Sequence, residues 1–156
     1  MTPSVIRITA EQCHDLRRRV LRAHQPGADV GFPIDADGRT VHFGVVDADQ
    51  LVAVSTWGRE PCPAYDTESA VRLRGMAVEP AHQGRGIGRL LLAAGLGWAA
   101  DQGAALVWAN ARDTALGFYE REGFTCVGDG FITEDTGLAH HLIVRRLLSK
   151  RPPAEN

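Results

Sequence analysis

The chain has 156 residues, 44% of them hydrophobic, and a formal net charge of -2 with acids and bases interspersed. That length suits one domain able to bury about two thirds of its unfolded surface, and the lack of a basic field argues against non-specific nucleic-acid or membrane binding. Cys13, Cys62 and Cys126 are odd in number and widely spaced, and no run approaches eighteen apolar residues; a reducing, cytoplasmic setting is expected, with a small-molecule partner, and a homodimer is an allowed assembly.

Residues 5–8 read as a short strand. Thr9 and Gln12 have the spacing of a capping box, which predicts a helix to about His24. Leu16, Val20 and Leu21 make its apolar stripe, and Arg17, Arg18 and Arg19 are expected on its solvated face. Residues 25–39, rich in Pro, Gly and Asp, form a loop. The runs 40–46 and 51–57 flank Asp47-Ala48-Asp49-Gln50 as an antiparallel hairpin, with His42 mid-strand. A second loop, marked by Pro61 and Pro63, covers 59–69. Residues 71–78 then alternate as a strand, with Leu73 and Ala77 on one face.

Ile87, Leu90, Leu91, Ala94 and Trp98 recur at helical spacing up to Gly103, a natural stop. A strand over 104–109 follows. Asp113 offers an N-cap to a helix ending near Gly123, and 124–128 and 139–146 read as the last strands. His140 and His141 are adjacent in a strand, so they point to opposite faces, and no metal site is expected. The domain should span 1–148, with a disordered tail over 149–156.

The segment Gln83-Gly84-Arg85-Gly86-Ile87-Gly88 lies between that strand and that helix. A glycine turn lets backbone N–H groups approach a phosphate, and the helix start adds unpaired donors and the positive end of its dipole. The dinucleotide fingerprint G-x-G-x-x-G fails in both registers, because Arg89 or Leu91 occupies the third glycine position. The triphosphate loop G-x-x-x-x-G-K-[ST] fails as well.

Gln83, Gly86 and Gly88 instead match the Q/R-x-x-G-x-G/A signature, and the segment resembles that of the GNAT superfamily of acyl-CoA-dependent N-acyltransferases. Two flanking motifs extend the resemblance over residues 40 to 147. Leu73-Arg74-Gly75-Met76-Ala77-Val78-Glu79-Pro80 resembles the family's fourth strand with its Val-acid-Pro exit. Phe118-Tyr119-Glu120-Arg121-Glu122-Gly123-Phe124 resembles its Y-x-x-x-G-F helix end. The resemblance implies an α+β fold with a mixed, mostly antiparallel sheet, splayed between its fourth and fifth strands and flanked by helices. It implies acetyl-CoA as cosubstrate, an acceptor pocket shaped partly by the 25–39 loop, and a bulge around Met76-Ala77-Val78, with Gly75 contributing to the kink. By the same resemblance the cofactor contacts are Met76, Ala77, Val78, Gln83, Gly84, Arg85, Gly86, Ile87, Gly88 and Arg89. Arg112 stands where the family often has a cofactor-binding Asn, and Asn110 is the expected substitute.

Acetyl transfer to an amine needs a neutral amine, a stabilised oxyanion and a protonated leaving thiolate. Neutralising an amine of pKa about 10.4 at pH 7 costs about 4.6 kcal/mol, so a base or a desolvated pocket must help. A thiol near pKa 8.5 and a phenol near 10 differ by about 1.5 units, so a placed Tyr can protonate the thiolate at a cost of about 2 kcal/mol. The resemblance gives that acid role to Tyr119. Glu79 and His42 are candidate bases, each with a plain structural alternative: strand end and core histidine. The leading expectation is an N-acetyltransferase acting on a small primary amine by direct attack. The alternatives are a non-catalytic acyl-CoA-binding or sensor module and, less favoured, a nucleotide-binding regulatory domain.

Overall fold

The computed structural model describes residues 2–66 and 69–147; the expected tail and the end of the expected domain fall outside them. Seven strands form one sheet: β1 (Ser4–Ile8), β2 (Val41–Asp47), β3 (Gln50–Arg59), β4 (Ala70–Val78), β5 (Leu106–Arg112), β6 (Thr125–Ile132) and β7 (Ala139–Arg146). Their order is β1-β2-β3-β4-β5-β7-β6, and β4–β5 is the parallel pair within an otherwise antiparallel sheet. Helices α1 (Ala10–Leu16), α2 (Ile87–Asp101) and α3 (Leu116–Arg121) pack around it. This is the expected α+β architecture.

The sheet turns where the sequence supplies the chemistry. Ala48 and Asp49 both have positive φ and close the β2–β3 hairpin. Thr9 and Gln12 cap α1 reciprocally, as their spacing predicts. The first helix, however, does not run as one α-helix to His24. After Leu16 it widens into a π-turn over Arg17–Leu21. The wider turn carries Arg17 inward, where it is 1% exposed, so the expectation of a solvated Arg17 is corrected.

The terminal nitrogens of the buried arginine are provisioned with acceptors, while its Nε has no hydrogen-bond partner among the described residues. Its two terminal nitrogens bond Asp35 at 2.8 and 3.1 Å, Val30 O at 2.9 Å and Thr56 Oγ1 at 2.7 Å. Burial would raise the Asp35 pKa, but the Arg17 hydrogen bond, the Phe32 N–H and the Arg17 charge outweigh it and hold the carboxyl below its usual value. The same Thr56 hydroxyl lies 2.8 Å from His42 Nδ1.

Helix α2 sits on the sheet through Ile87, Leu91, Leu92, Gly95 and Ala99. This stripe departs from the predicted one, since Leu90 is exposed. The reason is Gly95. A Cβ there would lie 1.8 Å from Cε2 of the fully buried Trp57, so the absence of a side chain is what lets helix and indole touch. Trp57 in turn donates Nε1 to Ser55 Oγ at 2.9 Å.

Candidate active site

Strands β4 and β5 pair at only three positions, Ala70↔Leu106, Val71↔Val107 and Arg72↔Trp108. Beyond them the strands part. Their facing edges, residues 73–78 of β4 and 109–112 of β5, line a cavity of about 820 Å³. β4 also bends away from β3: Val54 pairs with Ala77 and Thr56 with Arg74, so Gly75 and Met76 together oppose Ser55. That is a bulge with glycine at its first position, where φ is +59°. It lies at Gly75–Met76, slightly before the expected Met76-Ala77-Val78. Gly75 is constrained twice, because a Cβ there would stand 2.7 Å from the Phe32 ring and 3.2 Å from Arg17 Nε.

Tyr119 stands across from this bulge. Its hydroxyl donates to Met76 Sδ at 3.5 Å, a weak acceptor, and the ring is held edge-on by Phe118 and Phe124 at centroid distances of 5.1 and 5.4 Å. Both Tyr119 and Met76 line the cavity. Burial pushes the phenol pKa well above its ordinary value, so the group is protonated throughout the physiological range. The same burial widens the gap to a thiol pKa beyond the 1.5 units reckoned from unperturbed values.

The glycine turn closes the far end of the bulged strand. Gly84 and Gly86 have φ of +77° and +81°, and a Cβ on either would meet nothing within 4 Å. Their requirement is backbone conformation, with open space outside. Gly86 is the N-cap of α2, with no side-chain cap and no acidic residue in the first turn. The first intrahelical bond runs from Leu90 N to Gly86 O at 3.2 Å, so the amides of Ile87, Gly88 and Arg89 precede the helical ladder. Gly88 serves packing instead: a Cβ there would touch Met76 and Phe118 at 3.1 Å. Gln83 Nε2 donates to Val78 O at 3.1 Å, tying the turn to the end of β4. Arg85 is exposed, and Arg89, also exposed, pairs with Glu122 at 3.5 Å.

Of the expected site, Met76, Ala77, Val78, Gln83, Gly84, Asn110 and Tyr119 share the cavity wall. Glu79 and His42 do not. Glu79 carries an ion pair to Arg19 at 2.9 Å, while its amide continues the sheet by donating to Val52 O at 2.8 Å. His42 is buried in the Arg17 network, and burial lowers its pKa. Asp113 does not act as a side-chain N-cap either; its carboxylate lies 2.7 Å from His141 Nδ1.

Sequence reasoning missed two features of the cavity. His140, on its wall and 6% exposed, places Nδ1 2.8 Å from Leu138 O. A carbonyl only accepts, so Nδ1 is the nitrogen that carries a proton toward Leu138, and Nε2 is the ring nitrogen free to exchange one. Its adjacency to His141 drew attention to metals, whereas the telling signal is the neighbouring turn carbonyl. The second is the strap made by the β6–β7 loop: Arg22 bonds the backbone O and the carboxylate of Asp135 at 3.0 and 3.1 Å, and His24 Nε2 meets Thr136 O at 3.0 Å. Arg112 reaches the same region and donates to Leu21 O.

The bulged strand, the splayed partner strand and the buried phenol share one cavity, whose wall reaches the glycine turn at Gln83 and Gly84, while Arg85, Gly86, Ile87, Gly88 and Arg89 lie outside that wall. The family model described as the acetyltransferase (GNAT) domain matches residues 37–126. The chain is 30% identical to the N-alpha-acetyltransferase RimI of Mycobacterium tuberculosis over 129 residues, 80% of this chain and 78% of that protein. It is 28% identical over 141 residues to the uncharacterized N-acetyltransferase YitI of Bacillus subtilis, covering 90% and 93% of the two. The crystal structure of the ribosomal-protein-S18-alanine N-acetyltransferase from Escherichia coli superposes with a TM-score of 0.75 at 17% identity, covering 99% of each chain, a likeness of fold.

Proposed function

Since this chain belongs to the GNAT acetyltransferase family, whose enzymes use an acyl-CoA cosubstrate, we propose that it transfers an acetyl group from acetyl-CoA to the primary amine of a small molecule by direct attack. The observation that carries this reading is the Tyr119 hydroxyl, held against the β4 bulge inside the cavity opened by the splay.

The residues present suit the cosubstrate. Gly84 and Gly86 leave the space over the turn free of side chains, and the amides of Ile87, Gly88 and Arg89 are disposed to take the pyrophosphate. The free edge of β4 from Gly75 to Val78 supplies backbone groups for an extended amide-bearing arm, and Asn110 faces it from β5. When bound, acetyl-CoA supplies an activated acyl thioester. Tyr119 then holds the proton that the leaving sulfur needs, and its burial keeps that proton in place until the transfer.

Deprotonation of the amine falls to His140. Its Nδ1 is oriented by Leu138 O, which directs proton exchange to Nε2, and it shares the cavity with Tyr119. Glu79 pairs with Arg19, and His42 meets the Thr56 hydroxyl to which Arg17 also donates. Calorimetry with acetyl-CoA, coenzyme A and ATP, followed by thiol release across a panel of amines, tests the proposal. Acetyl-CoA binding and amine-dependent thiol release are expected; acetyl-CoA binding with no release across the panel would favour a silent binding module.

A further inference from the structure

The charges on the cavity wall do not cancel. Its lining includes Arg22, Arg72, Arg74, Arg112 and Arg121 but a single acidic residue, Asp135. That aspartate is already committed to Arg22 at 3.1 Å, and Arg72 is paired with Glu60 at 2.6 Å while stacked on Trp108. Arg17, behind the wall, has Asp35. Arg74 is different. It is half-buried, lies 4.8 Å from the Phe32 ring centroid, and has no carboxylate partner among the described residues.

Its position indicates what it meets. Arg74 immediately precedes the Gly75–Met76 bulge, on the side away from the glycine turn and against Phe32 of the 25–39 loop. The edge proposed for the cofactor arm runs the other way, from Gly75 to Val78. Only Gly75 separates Arg74 from Met76, the residue beneath the Tyr119 hydroxyl. Taking a guanidinium out of water without a paired carboxylate is costly, and burial and the neighbouring Arg72 lower its pKa more than the fields of Glu60 and Asp135 raise it. An anion arriving with the substrate would offset that cost, with the planar fork suited to an oxyanion.

We infer that Arg74 receives an oxyanion of the acceptor, so that the amine acetylated here carries a carboxylate or phosphate a few bonds from its nitrogen. The inference rests on the acetyltransferase reading above and narrows its substrate class from amines in general to anionic amines, amino acids and aminoalkyl phosphates among them. The anion is bound at a distance from the reacting atoms, so its contribution appears mainly in KM.

The test compares kcat/KM for ω-amino acids of two to five carbons, their carboxamides, the matching aminoalkyl phosphates and a short uncharged peptide with a free N-terminus. The wild-type enzyme should prefer an anionic amine over its neutral counterpart by about 10- to 100-fold. In Arg74→Gln the ratio should fall to near one, and in Arg74→Lys it should keep part of its value, with coenzyme A affinity unchanged in both. The carboxylate and phosphate arms identify which oxyanion is preferred. A wild-type ratio near one, preference for the neutral peptide, or loss of coenzyme A affinity together with the ratio overturns the inference, and the wild-type ratio needs no variant to fold. If no amine is turned over, the acetyltransferase reading fails on its own, and the anion contact is still read by calorimetry of an N-acetyl ω-amino acid against its amide in the presence of coenzyme A. Equal binding of the two would then reject it.

Discussion

Gly95 in the middle of helix α2 and Gly86 at its N-cap are used in opposite ways. Gly95 is pressed against the Trp57 indole, where even a methyl group has no room. Gly86 faces open space, and its demand is a positive φ. The middle of the helix is therefore specified by contact, and its start by conformation and by what is left unbonded. Residues that hold a fold are crowded by neighbours, while residues that hold a ligand are conspicuous for the neighbours they lack.

That contrast can be broken first at the packed end. Gly95→Ala should cost about 3 kcal/mol or more, since the clash is with a buried ring and the backbone of a helix rather than a flexible chain end. A chain of this size should then lose about 6 to 12 °C in Tm. A Tm within a degree of the wild type would mean that the helix shifts freely over Trp57.

At the open end the same class of change should spare the fold. A Cβ at Gly86 meets no atom within 4 Å, but valine strains a left-handed backbone position, so the turn relaxes away from the conformation that aims the first amides of α2. Loss of two charge-assisted hydrogen bonds, each about 1.5 to 3 kcal/mol, weakens acetyl-CoA binding by at least about 100-fold in calorimetry. A folded Gly86→Val variant with unchanged affinity would separate the glycine turn from the cofactor.

The cavity wall gives the third and smallest effect. His140→Gln should remove the acid limb of the kcat/KM profile and lower its plateau by about 10-fold or more, whereas Glu79→Gln should keep the limb where it is. Movement of the limb in Glu79→Gln alone would return the base to the end of β4, despite its ion pair with Arg19.

Much of this was legible beforehand. The succession of strands and helices along the chain, the helix between Ile87 and Gly103, the capping box at Thr9 and the glycine turn are local patterns, and each survives folding because its cause lies within a few residues. Arg17 shows what is not legible. Three consecutive arginines read as a wet face, and only a π-turn together with Asp35, Val30 and Thr56, distant in the chain, makes the first of them a core residue. The bulge was misplaced slightly for a similar reason, since the constraint at Gly75 comes from Phe32 on another loop. His140 escaped notice because its tautomer is set by Leu138 O, and no spacing rule encodes a carbonyl two residues away that folds back onto the ring. Glu79 and His42 have the right chemistry for a base, but Arg19 and Arg17 claim their surroundings.

The central claim is that the Tyr119 hydroxyl protonates the departing thiolate. Single-turnover kinetics of Tyr119→Phe with saturating acetyl-CoA test it most directly, because the ring stays packed between Phe118 and Phe124 while only the proton donor is removed. The account predicts a chemical step slowed by about 10²- to 10⁴-fold, acetyl-CoA affinity within a factor of about two, and in the wild type no alkaline limb attributable to the phenol below its ordinary pKa of about 10. A chemical step at the wild-type rate would make Tyr119 a packing residue and contradict the account.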